Sequence, residues 1–218
     1  VKTFASVLMP GVQHMRHTHL PEHKFVSGQP ETGADRADDL ERIATNFGPE
    51  NIAACIVEPI AGSTGTLVPP KGYLQKLRET CDKHGILLIF DEVITGWGRT
   101  GSSFASIEYG VTPDIMTMAK ATTNGVVPMG VVACKDEIYD SVMDASPMGS
   151  VELFHGYTYS GIPVAVAAAL AVQDIFEKED IFERAKNLAP YFQKGLFSLQ
   201  DLESVENIRG YGMMGGID

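Results

Sequence analysis

The chain has 218 residues, 44% of them hydrophobic and 21% charged, with 22 glycines and 12 prolines; that composition fits a globular fold with a sizeable core and sets aside disordered and fibrous classes. Acidic residues number 28 against 17 Lys and Arg, for a formal charge of −11, and no basic patch offsets it, so a nucleic-acid partner is disfavoured. No run nears the roughly 18 apolar residues of a membrane span, and the three cysteines, Cys55, Cys81 and Cys134, are scattered without C-x-x-C spacing, as small core residues are in a reducing, cytoplasmic setting.

Residues 1–35 are rich in Pro, Gly and His and read as loop. Between Ala37 and Phe47, the positions Leu40, Ile43, Ala44 and Phe47 fall at helical spacing. "NIAACIVE", 51–58, reads as a short strand closed by Pro59, followed by the glycine and proline loop "AGSTGTLVPP". Pro70 is expected to open a helix with Leu74, Leu77 and Cys81 on one face, an i,i+4 pair of Glu79 and Lys83, and an end at Gly85. The strand Ile86 to Phe90 follows at once. Strand, helix, strand with short joints predicts a βαβ unit, and continuous apolar strands predict a parallel sheet covered on both faces.

Further strands are expected at 113–119 and 130–134, and a helix from "KDEIYDSVM". After an irregular stretch from Asp144 to Gly161, Pro163 starts an alanine-rich helix. A second helix runs from about Ile181 to Leu199, with Phe182, Ala185, Leu188 or Ala189, Phe192 and Leu196 on one face. The closing "SVENIRGYGMMGGID" returns to β character and reads as the start of a smaller domain. The sequence does not begin with Met and ends as though entering a strand, so the chain is expected to be a piece of a longer protein.

"ILLIFDEVITGWGRTG", 86–101, raises the first chemical question, since five apolar residues run into Asp91 and Glu92. Ligands of open α/β sheets bind beyond the carboxyl ends of the strands, where a ligand can compensate such a charge; a helix cap or surface ion pair is the plainer explanation. Three glycines in "TGWGRTG" favour tight turns or close backbone approach. Two ligands suit the aspartate. Magnesium with a nucleotide would make "LLIFDE" a Walker B motif, yet residues 1–90 contain no G-x-x-x-x-G-K-[ST] phosphate loop. A cationic ring nitrogen, as in pyridoxal 5′-phosphate, would be held protonated by a neighbouring carboxylate, and this second ligand also requires a lysine. "PDIMTMAKATTNG" supplies Lys120, which follows a predicted strand and so emerges at the same edge as Asp91. Its apolar and small neighbours are unusual for a solvated lysine, and desolvation would depress its pKa and free the amine for attack.

"VEPIAGSTG", "LLIFDEVITGWGRTG", "PDIMTMAKATTNGVVPMG" and "HGYTYSGIPVA", in that order and spacing, resemble the class III (subgroup II) pyridoxal-phosphate aminotransferases, and within them the ω-amino acid:pyruvate (β-alanine:pyruvate) branch. The resemblance covers nearly the whole chain. It implies an α/β fold: the large domain of a fold type I transferase, a mainly parallel sheet with helices on both faces, over 1–178, then a linker helix and the start of a small α+β domain over 179–218. It also implies a ping-pong transfer of an amino group from an ω-amino acid or amine to pyruvate. Residue by residue, Asp91 would pair with the pyridine nitrogen and Val93 pack on the ring. Lys120 would form the Schiff base and move the proton. Thr158 would reach the cofactor phosphate of the other subunit of a homodimer, and Glu58 would support the site.

Relatives acting on ornithine, acetylornithine or 4-aminobutyrate tend to carry Gln and Glu where this chain has Ala61 and Ser63, which points to the pyruvate-using branch. Trp97 stands where Phe is commoner, and Ile162 where His or Asn is usual. The resemblance puts the phosphate turn and ring-stacking aromatic upstream of Val1 and the carboxylate-binding arginine downstream of Asp218. A nucleotide-binding ATPase domain and a non-catalytic piece are the rival readings. His14, His17, His19 and His23 cluster without a zinc spacing, and no metal site is expected. His155 is placed near the cofactor by its neighbour Thr158, Met116, Met118 and Met129 read as core, and Arg99 is either an anion ligand or a structural ion pair.

Overall fold

The computed structural model describes residues 6–148, 153 and 155–218; the first five residues of the N-terminal loop, and 149–152 and 154 of the irregular stretch, lie outside them. The main sheet has four strands in the order β1 (Ala54–Val57), β2 (Leu87–Asp91), β3 (Ile115–Met118) and β4 (Val131–Cys134). The first three are parallel, with Val57 opposite Phe90 and Asp91 opposite Thr117, so they finish along one edge. β4 runs antiparallel to β3. A parallel return needs a crossover of a dozen or more residues, and the stretch between Met118 and Val131 holds only the 3₁₀ turn Lys120–Thr122 and a further turn.

Helix α2 (Tyr73–His84) makes the β1-to-β2 crossover. It begins three residues after Pro70, because Gly72 at φ 81 keeps the chain in a left-handed turn up to Tyr73, and it ends at Gly85, also left-handed at φ 67, whose N–H donates to the Cys81 carbonyl. Leu74, Leu77 and Cys81 face inward as their spacing predicts, and they form one core with Leu88 and Phe90 of β2 and with Leu40 and Ala44 of α1 (Asp38–Phe47). Each such Leu or Phe contributes about 1.5–3 kcal/mol on burial. Phe47, at the same spacing, is instead 51% exposed. The expected Glu79–Lys83 pair is replaced by a bond between helices: Lys83 Nζ reaches Glu41 of α1 at 2.7 Å, with His84 Nε2 at 2.9 Å from the same carboxylate. Packing α1 beside α2 offers Lys83 a better partner than its own helix does.

The chain from β2 to β3 carries the single-turn α3 (Ala105–Glu108), too short to be read from periodicity, and α4 (Asp136–Asp144) follows β4. Pro163 is the first residue of α5 (Pro163–Lys178), as predicted. Asp180, at φ 49, turns the chain into α6 (Ile181–Phe197), on which Ala189 is half-buried and Leu188 is exposed. The last two strands, β5 (Ile208–Tyr211) and β6 (Met214–Ile217), form a separate hairpin. It is firmly docked. The Gly28 amide donates to the Gly210 carbonyl at 2.9 Å, Arg209 Nε donates to the Gly65 carbonyl at 2.8 Å, and Tyr211 OH donates to Glu108 at 2.7 Å.

Among the described residues no strand pairs with the outer edge of β1, where Ile56 is 62% exposed. A cavity of about 1040 Å³ follows this open edge, under residues 11–18 and beside Ile43 and Phe47, with Glu58 and Ala61 on its lining.

Candidate active site

The aligned ends of the three parallel strands bring the predicted residues to one rim. Glu58 follows β1, Asp91 closes β2 and Lys120 lies two residues beyond β3, on strands spaced about 4.8 Å apart. Glu58 is half-buried, and its Oε2 accepts the Gly62 amide at 2.9 Å, which folds the following loop back on itself. At Gly62 a Cβ would stand 2.5 Å from the Ile94 side chain, so this loop lies directly against the turn carrying Val93 and Ile94. Val93 is half-buried in that turn.

Asp91 is half-buried and accepts only its own neighbour's N–H, from Val93 to Oδ1 at 3.0 Å, among the bonds of the described residues. A second aspartate on the same sheet gives the comparison. Asp114, at the opposite end, takes Arg78 at 2.8 Å, Lys135 at 2.7 Å and the Leu88 amide at 2.7 Å. Burial raises the Asp114 pKa, but these donors outweigh it and hold the carboxyl below the usual carboxylate range. One carboxylate is fully used by the fold; the other keeps an oxygen free of hydrogen bonds among the described residues, at the carboxyl edge of the parallel strands.

Lys120 opens the 3₁₀ turn with φ 46, a left-handed conformation rare for a side-chain-bearing residue. It is exposed, and among the described residues its amine joins no ion pair. The apolar shielding expected around this amine is therefore not supplied by the described residues. Thr158 is also exposed, in the turn before α5, with no hydrogen bond to the other predicted site residues; beside it the His155 ring stacks on Tyr157 with centroids 4.7 Å apart. The strand ends thus bring Glu58, Asp91, Val93 and Lys120 to one edge, while among the described residues no hydrogen bond joins Thr158 to any of them.

Arg99 is exposed and forms no ion pair among the described residues; its carbonyl accepts the Met213 amide at 2.8 Å. Met118 is buried, and Met116 and Met129 are half-buried. His23 is buried, with Nδ1 accepting the Leu20 amide, while burial lowers the His19 pKa.

The sequence profile of the family "Aminotransferase class-III" matches residues 2–218. The chain belongs to the class-III aminotransferases. An omega-aminotransferase of Caulobacter vibrioides is 54% identical over 97% of this chain and 48% of its own length. A beta-alanine–pyruvate aminotransferase of Pseudomonas aeruginosa is 50% identical over 94% of this chain and 46% of its own. The crystal structure of an (S)-enantioselective omega-transaminase from Thermomicrobium roseum superposes with a TM-score of 0.80 at 43% identity, over 85% of this chain and 40% of that one. The chain thus spans about half the length of the curated relatives it matches.

Class-III aminotransferases depend on pyridoxal 5′-phosphate, and the rim suits that group: a partly buried carboxylate with a spare oxygen, and an amine without an ionic partner at the same edge. The nucleotide reading loses its second carboxylate. Glu92 is fully buried and accepts from Thr95 Oγ1 at 2.9 Å, the Ala105 amide at 2.7 Å and the Ser106 amide at 2.8 Å. It is built into the start of α3 and is not presented to a ligand. Adjacent residues on a strand point to opposite faces, which separates these neighbouring acids; their identical chemistry hides the difference in the sequence.

Trp97 and Thr122 were not assigned from sequence as partners. Trp97 Nε1–H donates to Thr122 Oγ1 at 3.0 Å, and the only sign of it in the sequence is Trp97 standing where Phe is commoner.

Proposed function

We propose that this chain carries the lysine-bearing part of a transaminase that moves an amino group from an ω-amino acid or amine, such as β-alanine, to pyruvate. Family membership together with the convergence of Asp91 and Lys120 on one sheet edge carries the reading, and the names of the relatives support the substrate class. Pyridoxal 5′-phosphate, when bound, supplies an aldehyde that condenses with amines and a protonated ring that withdraws electrons.

The chain's own groups orient that chemistry and move its proton. Asp91 would hold the proton on the ring nitrogen by pairing with the charged form. Val93 would pack on the ring, and Glu58 fixes the loop that lies against the Val93 turn. Lys120 Nζ takes the proton from the substrate carbon that bears the amino group, and in the second half-reaction returns a proton to the carbonyl carbon of pyruvate, giving alanine. Ala61 and Ser63 leave this loop without a carboxylate, in keeping with the pyruvate-using branch. Thr158, from a second copy of the chain, would bind the cofactor phosphate. Tyr157, Tyr159 and Val164, all more than half exposed beside it, offer apolar surface for that copy. Residues 1–178 then form part of the cofactor-binding domain and 179–218 the start of the smaller one, in a cytoplasmic homodimer.

The test is to incubate the chain with pyridoxal 5′-phosphate, reduce with borohydride, and map the pyridoxyl mass by peptide. The label is expected on the peptide containing Lys120 and absent from it in Lys120→Ala. Label spread evenly over surface lysines of a folded chain would count against the assignment.

A further inference from the structure

Six non-glycine residues among those described have left-handed backbone, and two of them, Trp97 at φ 63 and Lys120 at φ 46, belong to the candidate site. Each such residue costs about 1–2 kcal/mol and persists where its surroundings over-determine it. At Lys120 the constraint is a short hydrogen-bond chain. Thr122 is 3% exposed. Its Oγ1–H and its amide both donate to the Ala119 carbonyl, each at 3.0 Å, and the Lys120 carbonyl accepts the Gly125 amide at 3.2 Å.

These bonds close the turn on itself without fixing it to the rest of the molecule. The bond from Trp97 Nε1–H to Thr122 Oγ1, at 3.0 Å, does that. The indole is itself held: its residue's amide donates to the Ser103 carbonyl at 2.6 Å, and its ring lies edge-on to Phe104 at 4.9 Å and against Phe176 of α5 at 5.9 Å. A phenylalanine at this position would keep the ring contacts and donate nothing.

We infer that Trp97 is a positioning residue for Lys120, setting the direction of the lysine through the indole N–H, Thr122 Oγ1 and the Ala119 carbonyl. The inference rests on the reading of Lys120 as the lysine that condenses with the cofactor aldehyde. The bond itself has a separate reporter, because Trp97 is the single tryptophan of the chain and its emission reads this site alone.

The experiment uses Trp97→Phe, Thr122→Val, the double variant and the conservative Thr122→Ser. Borohydride trapping at Lys120 is followed against pyridoxal 5′-phosphate concentration. In Trp97→Phe and in Thr122→Val the maximal trapping rate is expected to fall about three- to tenfold, the scale of one net hydrogen bond, with the half-saturating concentration unchanged. The double variant should be no slower than the slower of the two single ones, and Thr122→Ser should retain the parent rate. Thr122→Val should also move the tryptophan emission to shorter wavelength and speed amide exchange over 119–125. Unchanged trapping rates in both single variants, or effects that multiply in the double variant, would overturn the inference while leaving the functional reading intact. Absence of Lys120 trapping in the parent chain would overturn that reading and the inference with it, and unchanged emission in Thr122→Val would show that the hydrogen bond is not made.

Discussion

Asp114 accepts from two cations and an amide, whereas Asp91 accepts from its own backbone neighbour, and the two should respond oppositely to substitution. Asp114→Ala leaves Arg78 without its inner partner and should cost roughly 2–4 kcal/mol in urea unfolding. Asp91→Asn should leave the unfolding midpoint nearly unchanged while weakening retention of pyridoxal phosphate, measured by dialysis and absorbance. A third carboxylate predicts a pH effect. The hydrogen bonds from Arg16 to buried Asp39 outweigh burial and bring its pKa from 3.8 down to about 2. A carboxyl that is more acidic when folded adds stability above its unfolded pKa of about 4, and that stability is lost as pH falls through about 2. Asp39→Asn should therefore be less stable at neutral pH and lose less between pH 4 and pH 2, measured as urea midpoints across that range. Asp91 and Lys120 were legible because charge directly after an apolar run is conspicuous. Glu92 and Thr122 were not, since each also has a partner 13 or more positions away in the chain, Ala105 and Ser106 for Glu92 and Trp97 for Thr122.

Helix faces were more legible than helix ends or partners. Spacing identified Leu74, Leu77 and Cys81, because each α2 side chain meets the sheet below it. It misjudged the start at Pro70, where the backbone freedom of Gly72 decides, and the partner of Lys83, which belongs to another helix. The β5–β6 hairpin turns at Gly212, with φ 57, where an added Cβ would stand 2.5 Å from the Arg99 carbonyl oxygen and 2.9 Å from the Thr100 backbone. Gly212→Ala should cost at least about 1 kcal/mol from conformation alone, with more from that contact. Hydrogen exchange should show faster loss of protection over 208–217 than over β2.

Across the molecule, the mainly parallel sheet was readable from its βαβ signature, while the reversal of β4 follows from the lack of a crossover helix over 119–130. The outer edge of β1 carries Ile56 with its backbone unpaired among the described residues; such edges template association. Ile56→Lys should reduce self-association of the chain in sedimentation velocity without changing its far-ultraviolet circular dichroism. Exposed Val164 and Leu170 on α5 are a separate apolar surface, so the same change should leave association through that face intact.

The order of the rim residues along the chain has a consequence for biosynthesis. Glu58, Asp91 and Lys120 terminate successive neighbouring strands, so a ribosome delivers the carboxylates before the amine. A nascent chain halted ahead of β3 would already hold the acidic half of the rim, and each later strand would add its contribution beside the one before, without threading past it.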